Sequence, residues 1–471
     1  MNLTAEFYRK TKITTQEKIR VAWSLSLPAI LAQLTTILMQ YIDAAMVGQM
    51  GAGASASIGL VSSSLWLING VGSAATYGYS VQIAQAVGAG DQGRSRDLYR
   101  QGLIVNFLFG CLLGGLGLSV SGALPRILGG EAAIRHDATR YFQVYMWTLP
   151  IVMLQRYVSA ALQSAGNMKV PSILNSLMCV LDVIFNLFLI FPTGPFSLGP
   201  FSFYLHGAGW GVYGAAWGTA LSHIVIFLAL AYVASFRSQD LKFGRNQKKF
   251  LLTSAFRLHR EDLKKALRIG IPIGCEQAAI CGAQVMSTRI VAPLGTVSIA
   301  ANSFAVTAES LCYMPGYGLG AAATTLVGQS IGARRGDLAK SFSWITTFMG
   351  MAIMGIAGII MYFFCPWLFR FLTPVKEVQQ LGIRVLRIEL LAEPLFGASI
   401  VASGCLRGAG DTLIPSIMNL ASMWGVRITL AALLAGTMGL TGVWIAMCVE
   451  LCFRGLIFLF RLRFGRWTKS I

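Results

Sequence analysis

Long runs of apolar residues, broken by Gly, Pro and charged residues, recur along the whole chain. About 20 consecutive apolar residues are enough to cross the hydrocarbon core of a bilayer as a helix. The pattern predicts twelve such spans, at approximately residues 21–46, 56–80, 101–124, 142–163, 171–192, 210–235, 266–291, 299–323, 341–366, 385–405, 413–435 and 441–461. The predicted fold class is therefore an all-α polytopic membrane protein with twelve transmembrane helices.

The second half of the chain repeats the first at an offset of 244 residues. Residues 162–177 (LQSAGNMKVPSILNSL) and 406–421 (LRGAGDTLIPSIMNLA) are identical at seven of sixteen positions. Each half holds six spans, and an even number gives both halves the same orientation in the membrane. We expect two parallel six-helix repeats, an N-lobe at 1–235 and a C-lobe at 266–471, that rock against each other around a substrate site. A cytoplasmic basic linker at 236–265 would join them.

Charge supports the same topology. Only 12% of the 471 residues are charged, yet 38 Lys and Arg against 19 Asp and Glu leave a net charge of +19. So little charge excludes a soluble enzyme, a disordered chain and a secreted disulfide scaffold. The basic residues concentrate at both termini and after spans 2, 6 and 8, which by the positive-inside rule places both termini in the cytoplasm. The excess is explained without a nucleic-acid partner. The linker could also form an amphipathic helix on anionic lipid.

Seven acidic residues fall inside predicted spans. A charge at mid-membrane costs at least about 2.5–3.5 kcal/mol, so each is either functional or paired with an intramembrane Arg. Glu450 and Arg454 stand four residues apart on one helix face, which favours an ion pair. The full set is Asp43, Asp182, Glu276, Glu309, Glu389, Glu393 and Glu450.

Asp182 and Asn186 are also four residues apart, on span 5. Together with Asp43 they could surround one small cation with carboxylate and amide oxygens, which suit Na⁺ or H⁺ and not a transition metal. The chain has no His, Cys and carboxylate cluster at metal-ligand spacing, and its nine cysteines are interpreted as small core residues. It also lacks a Gly-x-x-x-x-Gly-Lys motif. We therefore expect no cofactor and an ion gradient, instead of nucleotide hydrolysis, as the energy source.

Polar residues recur at equivalent positions of spans 1 and 7. The repeat offset pairs Gln33 with Gln277 and Gln40 with Gln284. These side chains either line a substrate cavity between the lobes or bond across helices, and the sequence does not decide between the two.

Three stretches resemble one known family. Residues 41–51 (YIDAAMVGQMG) resemble the end of helix 1 in the multidrug and toxic compound extrusion (MATE) family, and residues 315–333 (PGYGLGAAATTLVGQSIGA) and 406–415 (LRGAGDTLIP) resemble its second-half signatures. The resemblance covers essentially the whole chain. It implies a V-shaped pair of six-helix bundles in a prokaryotic inner membrane. It also implies H⁺- or Na⁺-coupled antiport of amphipathic organic cations, and we expect a monomer in the lipid bilayer.

The resemblance also implies an ion site in the N-lobe. In members that have one, helix 1 supplies an Asp, which Asp43 matches. Helix 5 supplies an Asn and an Asp one turn apart, and here Asp182 and Asn186 hold these places with the residue types exchanged. Helix 6 supplies a Thr, which Thr219 matches. Na⁺ or H⁺ would bind at these residues.

Other members of the family use a C-lobe site instead, built from a helix 7 Glu and a helix 10 Asp. Glu276 is the candidate on span 7, although it lies close to Pro272. Span 10 offers Glu389 and Glu393 in place of the Asp. These three are the secondary candidates for ion coupling.

Three alternatives remain open. A flippase for a lipid-linked saccharide, from the same wider superfamily, would need a basic cavity, for which Arg156, Arg289 and Arg427 are available. A membrane-embedded enzyme would need a metal set or an activated nucleophile, and the spans contain neither. A channel would not need duplicated lobes. A secondary active transporter is the hypothesis that accounts for most of the sequence.

Overall fold

The computed structural model describes residue 8 and residues 13–198, 201–242 and 259–469. Its long helices are numbered α1 to α12 in chain order, and a helix that changes type along its length counts as one. They are α1 (Thr15–Gly48), α2 (Ala52–Ala89), α3 (Gln92–Val120), α4 (Ala132–Ser164), α5 (Lys169–Ile190), α6 (Gly211–Tyr232, then π-helical Val233–Arg237), α7 (Arg260–Val291), α8 (Thr296–Gly332), α9 (Gly336–Leu372), α10 (Lys376–Glu389, a 3-10 turn Leu390–Ala392, then Glu393–Gly408), α11 (Leu413–Leu420, π-helical Ala421–Ile428, then Thr429–Met438) and α12 (Leu440–Phe464). Short helical turns lie at Leu124–Ile127, Ala292–Leu294 and Trp467–Lys469.

Within the described residues, eight helices are long and apolar enough to cross a membrane: α1, α2, α3, α5, α6, α9, α11 and α12. This confirms an all-α membrane protein. The remaining long helices are more polar for identifiable reasons. The first turns of α7 carry charged residues, and the interior of α8 is rich in buried Gly, Ala, Ser and Thr that pack mainly against α1, α2, α9 and α10.

Turns between helices fall at the same places in the two repeats. Gly51 precedes α2 with a φ of 108°, and Gly295 precedes α8 with a φ of 95°. Gly166, between α4 and α5, and Gly410, between α10 and α11, have φ values of 86° and 84°. A side chain is strained at such angles, so the backbone itself accounts for Gly at both copies of each turn.

Two connections differ from the sequence-based expectation. The outer connection near 192–209 is an antiparallel hairpin of strands β1 (Pro192–Leu198) and β2 (Phe201–Ala208). The linker predicted at 236–265 is shorter, because α6 extends to Arg237 and α7 already begins at Arg260. Residues 243–258, where the amphipathic surface helix was expected, lie outside the described part of the chain.

The first six helices contact the last six mainly through α1, α2, α7 and α8. α8 packs against α1 and α2, and α7 packs against α2. An ion pair of 2.7 Å joins Arg94, at the start of α3, to Asp262, at the start of α7. Lys18 donates to Ser341 at 3.0 Å, which joins the starts of α1 and α9. We call the face with these helix ends the basic side, because the Arg- and Lys-rich connections lie there.

At the basic side, α2 and α8 cross at two glycines, Gly88 and Gly332, that are equivalent in the two repeats. A Cβ added at Gly88 would overlap the backbone of Gln329, and one added at Gly332 would overlap the backbone of Gln85. We call these four residues the glycine clasp. Only Gly lets the two backbones approach so closely.

Side-chain hydrogen bonds reinforce the glycine clasp with the same symmetry. Gln329 Nε2 donates to the carbonyl oxygen of Ser164 at the end of α4, at 2.8 Å. Gln85 Nε2 donates to the carbonyl oxygen of Gly408 at the end of α10, at 3.3 Å. Each half thus anchors the other at the basic side through equivalent positions.

Candidate functional site

A carboxylate site forms where α1 meets α5. Asn186 uses its single amide nitrogen to donate to both acids, to Asp43 Oδ1 at 3.0 Å and to Asp182 Oδ2 at 3.0 Å. Asp182 and Asn186 are 0% and 1% exposed, and Asp43 is half-buried. Three residues that were predicted as candidates, one of them far from the other two in the sequence, are therefore in direct contact.

The carboxylate site has more acceptor oxygens than donors. Asp182 Oδ1 and Asn186 Oδ1 are buried and have no hydrogen-bond partner among the described residues. The carboxyl groups of Asp43 and Asp182 are also close enough to interact electrostatically. Like charges at this range repel, and a proton or a small cation between them removes the repulsion. Oxygen ligands of this kind suit Na⁺ as well as H⁺.

The close approach of α5 and α6 completes the carboxylate site. Gly218 lies so near Asn186 that an added Cβ would overlap its amide oxygen and crowd its backbone nitrogen. Thr219, the next residue, lies beside Asp182, while its hydroxyl donates to the carbonyl oxygen of Ala215 at 3.2 Å. The fourth predicted residue is thus adjacent to the acids, with its hydroxyl oxygen still able to accept.

A small cavity adjoins the carboxylate site between α4 and α6. It is lined by Tyr141, Tyr145, Thr148, Val152, Ala216, Thr219, Ala220 and His223. Apart from Thr219, none of these was a candidate from sequence. The available signal was spacing, because Tyr141 and Tyr145 on α4 and Thr219 and His223 on α6 are four residues apart and share a helix face.

Glu276 is buried on α7, where two residues of α11 hold its carboxylate. Ser416 donates to Oε2 at 2.7 Å and Asn419 Nδ2 donates to Oε1 at 2.6 Å. Among the described residues, no hydrogen bond links Glu276 to Glu389 or Glu393. The secondary candidates therefore form two separate groups, because Glu276 faces α11 while the other two lie on α10.

The α10 glutamates lie deep in the second half. Glu389 and Glu393 are both 0% exposed, and none of their four carboxyl oxygens has a hydrogen-bond partner in the described part of the chain. Glu309 of α8 is close enough to interact electrostatically with both carboxyl groups. Within the described ranges, no group of three or more His, Cys, Asp or Glu is placed to hold a metal ion.

Glu450 is paired, as its spacing from Arg454 predicts. The guanidinium donates twice, from Nε to Oε1 and from Nη2 to Oε2, at 2.8 Å each. The hydroxyl of Ser422 also donates to Glu450. This acid is neutralised inside one helix bundle and is a structural ion pair.

The four glutamines lie on α1 and α7, two of the helices through which the halves contact each other. Gln277 packs on Gly70 of α2, and Gln40 and Gln284 are exposed. Gln33 is half-buried on α1. Among the described residues none of the four side chains makes a hydrogen bond across helices. The contact of Gln277 with Gly70 places that side chain between the halves. That the glutamines line a substrate cavity stays a prediction.

Comparisons with known proteins agree with each other. The family model MatE matches twice, at residues 28–188 and 272–433. A probable multidrug resistance protein NorM from Thermotoga maritima is 28% identical over 452 residues, which cover 94% of this chain and 92% of that protein. A probable multidrug resistance protein YoeA from Bacillus subtilis is 26% identical over 80% of this chain and 77% of its own. A solved structure, the outward-facing conformation of a multidrug resistance MATE family transporter, has a similar fold at 20% identity. Its TM-score is 0.87, over 100% of this chain and 99% of that one.

Proposed function

Because the chain belongs to the MATE family of membrane transporters, we propose that it is a secondary active antiporter. It exports amphipathic organic cations, with H⁺ or Na⁺ entering in exchange. Its relatives named as probable multidrug resistance proteins support a small-molecule cargo. The protein is a multi-pass membrane protein, and we place it in the cell inner membrane as a monomer.

One observation is the main support for the proposed ion coupling. Asp43 and Asp182 share a single amide donor, and buried oxygens beside them have no partner among the described residues. Such a site is stable only when a proton or cation is present or when the helices move, since an uncompensated buried charge is costly. Loading and unloading this site therefore changes which arrangement of helices is favoured.

The duplication of the six-helix unit is the basis on which we propose alternating access. We propose that all twelve long helices cross the bilayer, as an N-lobe at 1–235 and a C-lobe at 266–471. The double match of the MatE model supports this division. The basic side is the cytoplasmic side and holds both termini. The lobes would rock about α1, α2, α7 and α8, where the two halves are in contact.

The cleft between the halves is the proposed substrate path. Tyr317, which is 49% exposed, offers an aromatic face to a cationic cargo. Gln33, Gln40 and Gln284 add polar contacts along the cleft. A lipid-linked saccharide flippase would favour a basic cavity, and no comparison favours that alternative.

Asp43→Asn tests the proposed function. The amide cannot be ionised, so we expect efflux driven by a gradient of H⁺ or Na⁺ to fall at least about tenfold, while substrate binding persists. The measurement is export of tetraphenylphosphonium from proteoliposomes, with resistance of an efflux-deficient host as a second readout. Asp137→Asn, which changes an exposed acid, is the matched control. Equal efflux by the two variants would remove Asp43 from the mechanism.

A further inference from the structure

A histidine lies one helical turn beyond the carboxylate site, inside the bundle of α1 to α6. His223 follows Thr219 by four residues on α6, so the two side chains leave the same helix face. His223 is 8% exposed, and its Nδ1 has no hydrogen-bond partner among the described residues. A buried polar atom without a hydrogen-bond partner destabilises the fold, so a functional role is a reason for such an atom to be present.

The small cavity between α4 and α6 is lined by both His223 and Thr219, the residue next to the carboxylate site. Thr219 lines the cavity and lies beside Asp182, while His223 lines it closer to the basic side. Tyr141 and Tyr145 line the same space. The cavity has room for about one water molecule. Groups that can exchange a proton therefore follow one another from the carboxylates toward the basic side.

The second repeat holds a different pair at the equivalent place. With the offset of 231 residues that aligns α6 with α12, Thr219 corresponds to Glu450 and His223 to Arg454. In α12 the two form an ion pair at 2.8 Å. In α6 the same places hold a hydroxyl and an imidazole with no fixed ionic partner. In the second repeat these two positions form an ion pair, whereas the equivalent side chains of the first repeat do not neutralise each other.

We propose that His223 takes the coupling proton from the carboxylate site and releases it at the basic side. This inference rests on the proposed function and commits it to H⁺. The carboxyl O–H bond of Asp182 breaks, the proton passes by way of the Thr219 hydroxyl or a water in the cavity, and an N–H bond forms at Nδ1 of neutral His223. The imidazolium then gives a proton to water at the basic side. The carboxylate is left ionised and the imidazole neutral, so charge and atoms balance.

Charged and titratable groups near this path come from the helices packed against α6. They are Tyr141, Tyr145 and Arg156 of α4, Asp182 and Cys179 of α5, and Asp43 of α1. From α2 comes the neutral Asn69, which donates to the hydroxyl of Tyr145. The like charge of Arg156 opposes a lasting imidazolium, which suits a group that passes the proton on. A histidine can do this because each of its two ring nitrogens can accept or donate a proton.

The test uses the full chain in proteoliposomes with tetraphenylphosphonium as the probe. His223→Gln should bind the probe as the wild type does. Its proton-driven efflux should be slower by tenfold or more, as expected on removal of a proton-transfer group. The dependence of its rate on the pH at the basic side should become flat. Added imidazole should restore part of the rate to His223→Ala. His206→Gln, which changes an exposed histidine on the hairpin, is the matched control.

Two results would overturn the role of His223. One is an unchanged rate and pH profile in His223→Gln. The other is wild-type efflux that follows a Na⁺ gradient without proton movement, which needs no variant at all. In both cases the proposed function stands as long as Asp43→Asn lowers efflux at least about tenfold, whereas normal efflux by Asp43→Asn removes Asp43 from the mechanism and with it the ion coupling proposed for the carboxylate site. His223→Asn, checked by thermal unfolding and probe binding, replaces His223→Gln if the latter does not fold.

Discussion

Gly218 shows how a residue without a side chain positions the chemistry. It allows α6 to lie against Asn186, and Asn186 is the shared donor of Asp43 and Asp182. The alignment of donor and acids therefore depends on the absence of one methyl group. Close helix packing of this kind is common in membranes, where small residues let backbones approach.

Gly218→Ala should disturb the carboxylate site without removing any of its polar atoms. The new methyl group displaces Asn186, so we expect a loss of ion-coupled efflux and a destabilisation of about 1–3 kcal/mol, as for other overpacked interiors. Thermal unfolding in detergent and efflux from proteoliposomes measure the two effects. Gly115→Ala on α3 is the control, since a Cβ there meets no atom within 4 Å. Identical behaviour of the two variants would contradict the positioning role.

At the scale of helices, the glycine clasp joins α2 to α8 through symmetric contacts. Contacts of helices that pack backbone to backbone are sensitive to small movements, because a gap of about 0.5–1 Å already loses a quarter to a half of the attraction between the atoms. The crossed hydrogen bonds from Gln329 to Ser164 and from Gln85 to Gly408 must break together with it. The rocking motion proposed for the two lobes would have to open the clasp.

Gly332→Ala should weaken closure at the basic side. The added Cβ overlaps the carbonyl oxygen of Gln85, so α2 and α8 must move apart. We expect slower efflux and a longer distance between spin labels placed at the exposed positions Asp97 and Lys340, measured by electron paramagnetic resonance. Gly59→Ala, which meets no neighbouring atom, should leave that distance unchanged. A Gly332→Ala distance distribution like that of the wild type would argue against a closed clasp.

Individual helices also depart from their predicted limits for physical reasons. α10 begins at Lys376, nine residues before the predicted span, because its first turns are amphipathic and not apolar. It is interrupted by the 3-10 turn Leu390–Ala392 just before Pro394, which lacks the N–H that a continuous helix needs. Apolar runs reveal the buried middle of a helix better than its ends.

For the whole molecule, the distribution of charge sets the orientation in the membrane. The helix ends joined by Arg94 and Asp262, and by Lys18 and Ser341, lie on one face. Lys and Arg in short loops are retained on the cytoplasmic side, so this face should remain inside the cell.

Reporter fusions test this orientation. Alkaline phosphatase, which is active only outside the cytoplasm, should be active when fused at Gly51 or Gly295 and inactive when fused at Gly90 or Arg334. A cytoplasmic fluorescent reporter at the same four positions should give the opposite pattern and serves as the internal control. Phosphatase activity of the Gly90 fusion would show that the protein has the opposite orientation in the membrane, and it would contradict the proposed direction of proton transfer.

The sequence alone determined the class of fold, the duplication and the residues of the carboxylate site. Apolar length, charge asymmetry and self-similarity are properties of the chain itself, and an acid inside an apolar run is costly wherever the run lies. Asp43, Asp182, Asn186 and Thr219 could be named on that basis and on family resemblance. Their ion-coupling role is still a prediction.

Only the tertiary structure decided which polar groups meet. It brings Asp43 to Asn186 across 143 positions of sequence, separates Glu276 from Glu389 and Glu393, and places His223 on a cavity shared with Thr219. Such contacts depend on how helices cross and rotate. Packing against neighbouring helices sets these angles, and the periodicity of any one helix leaves them open.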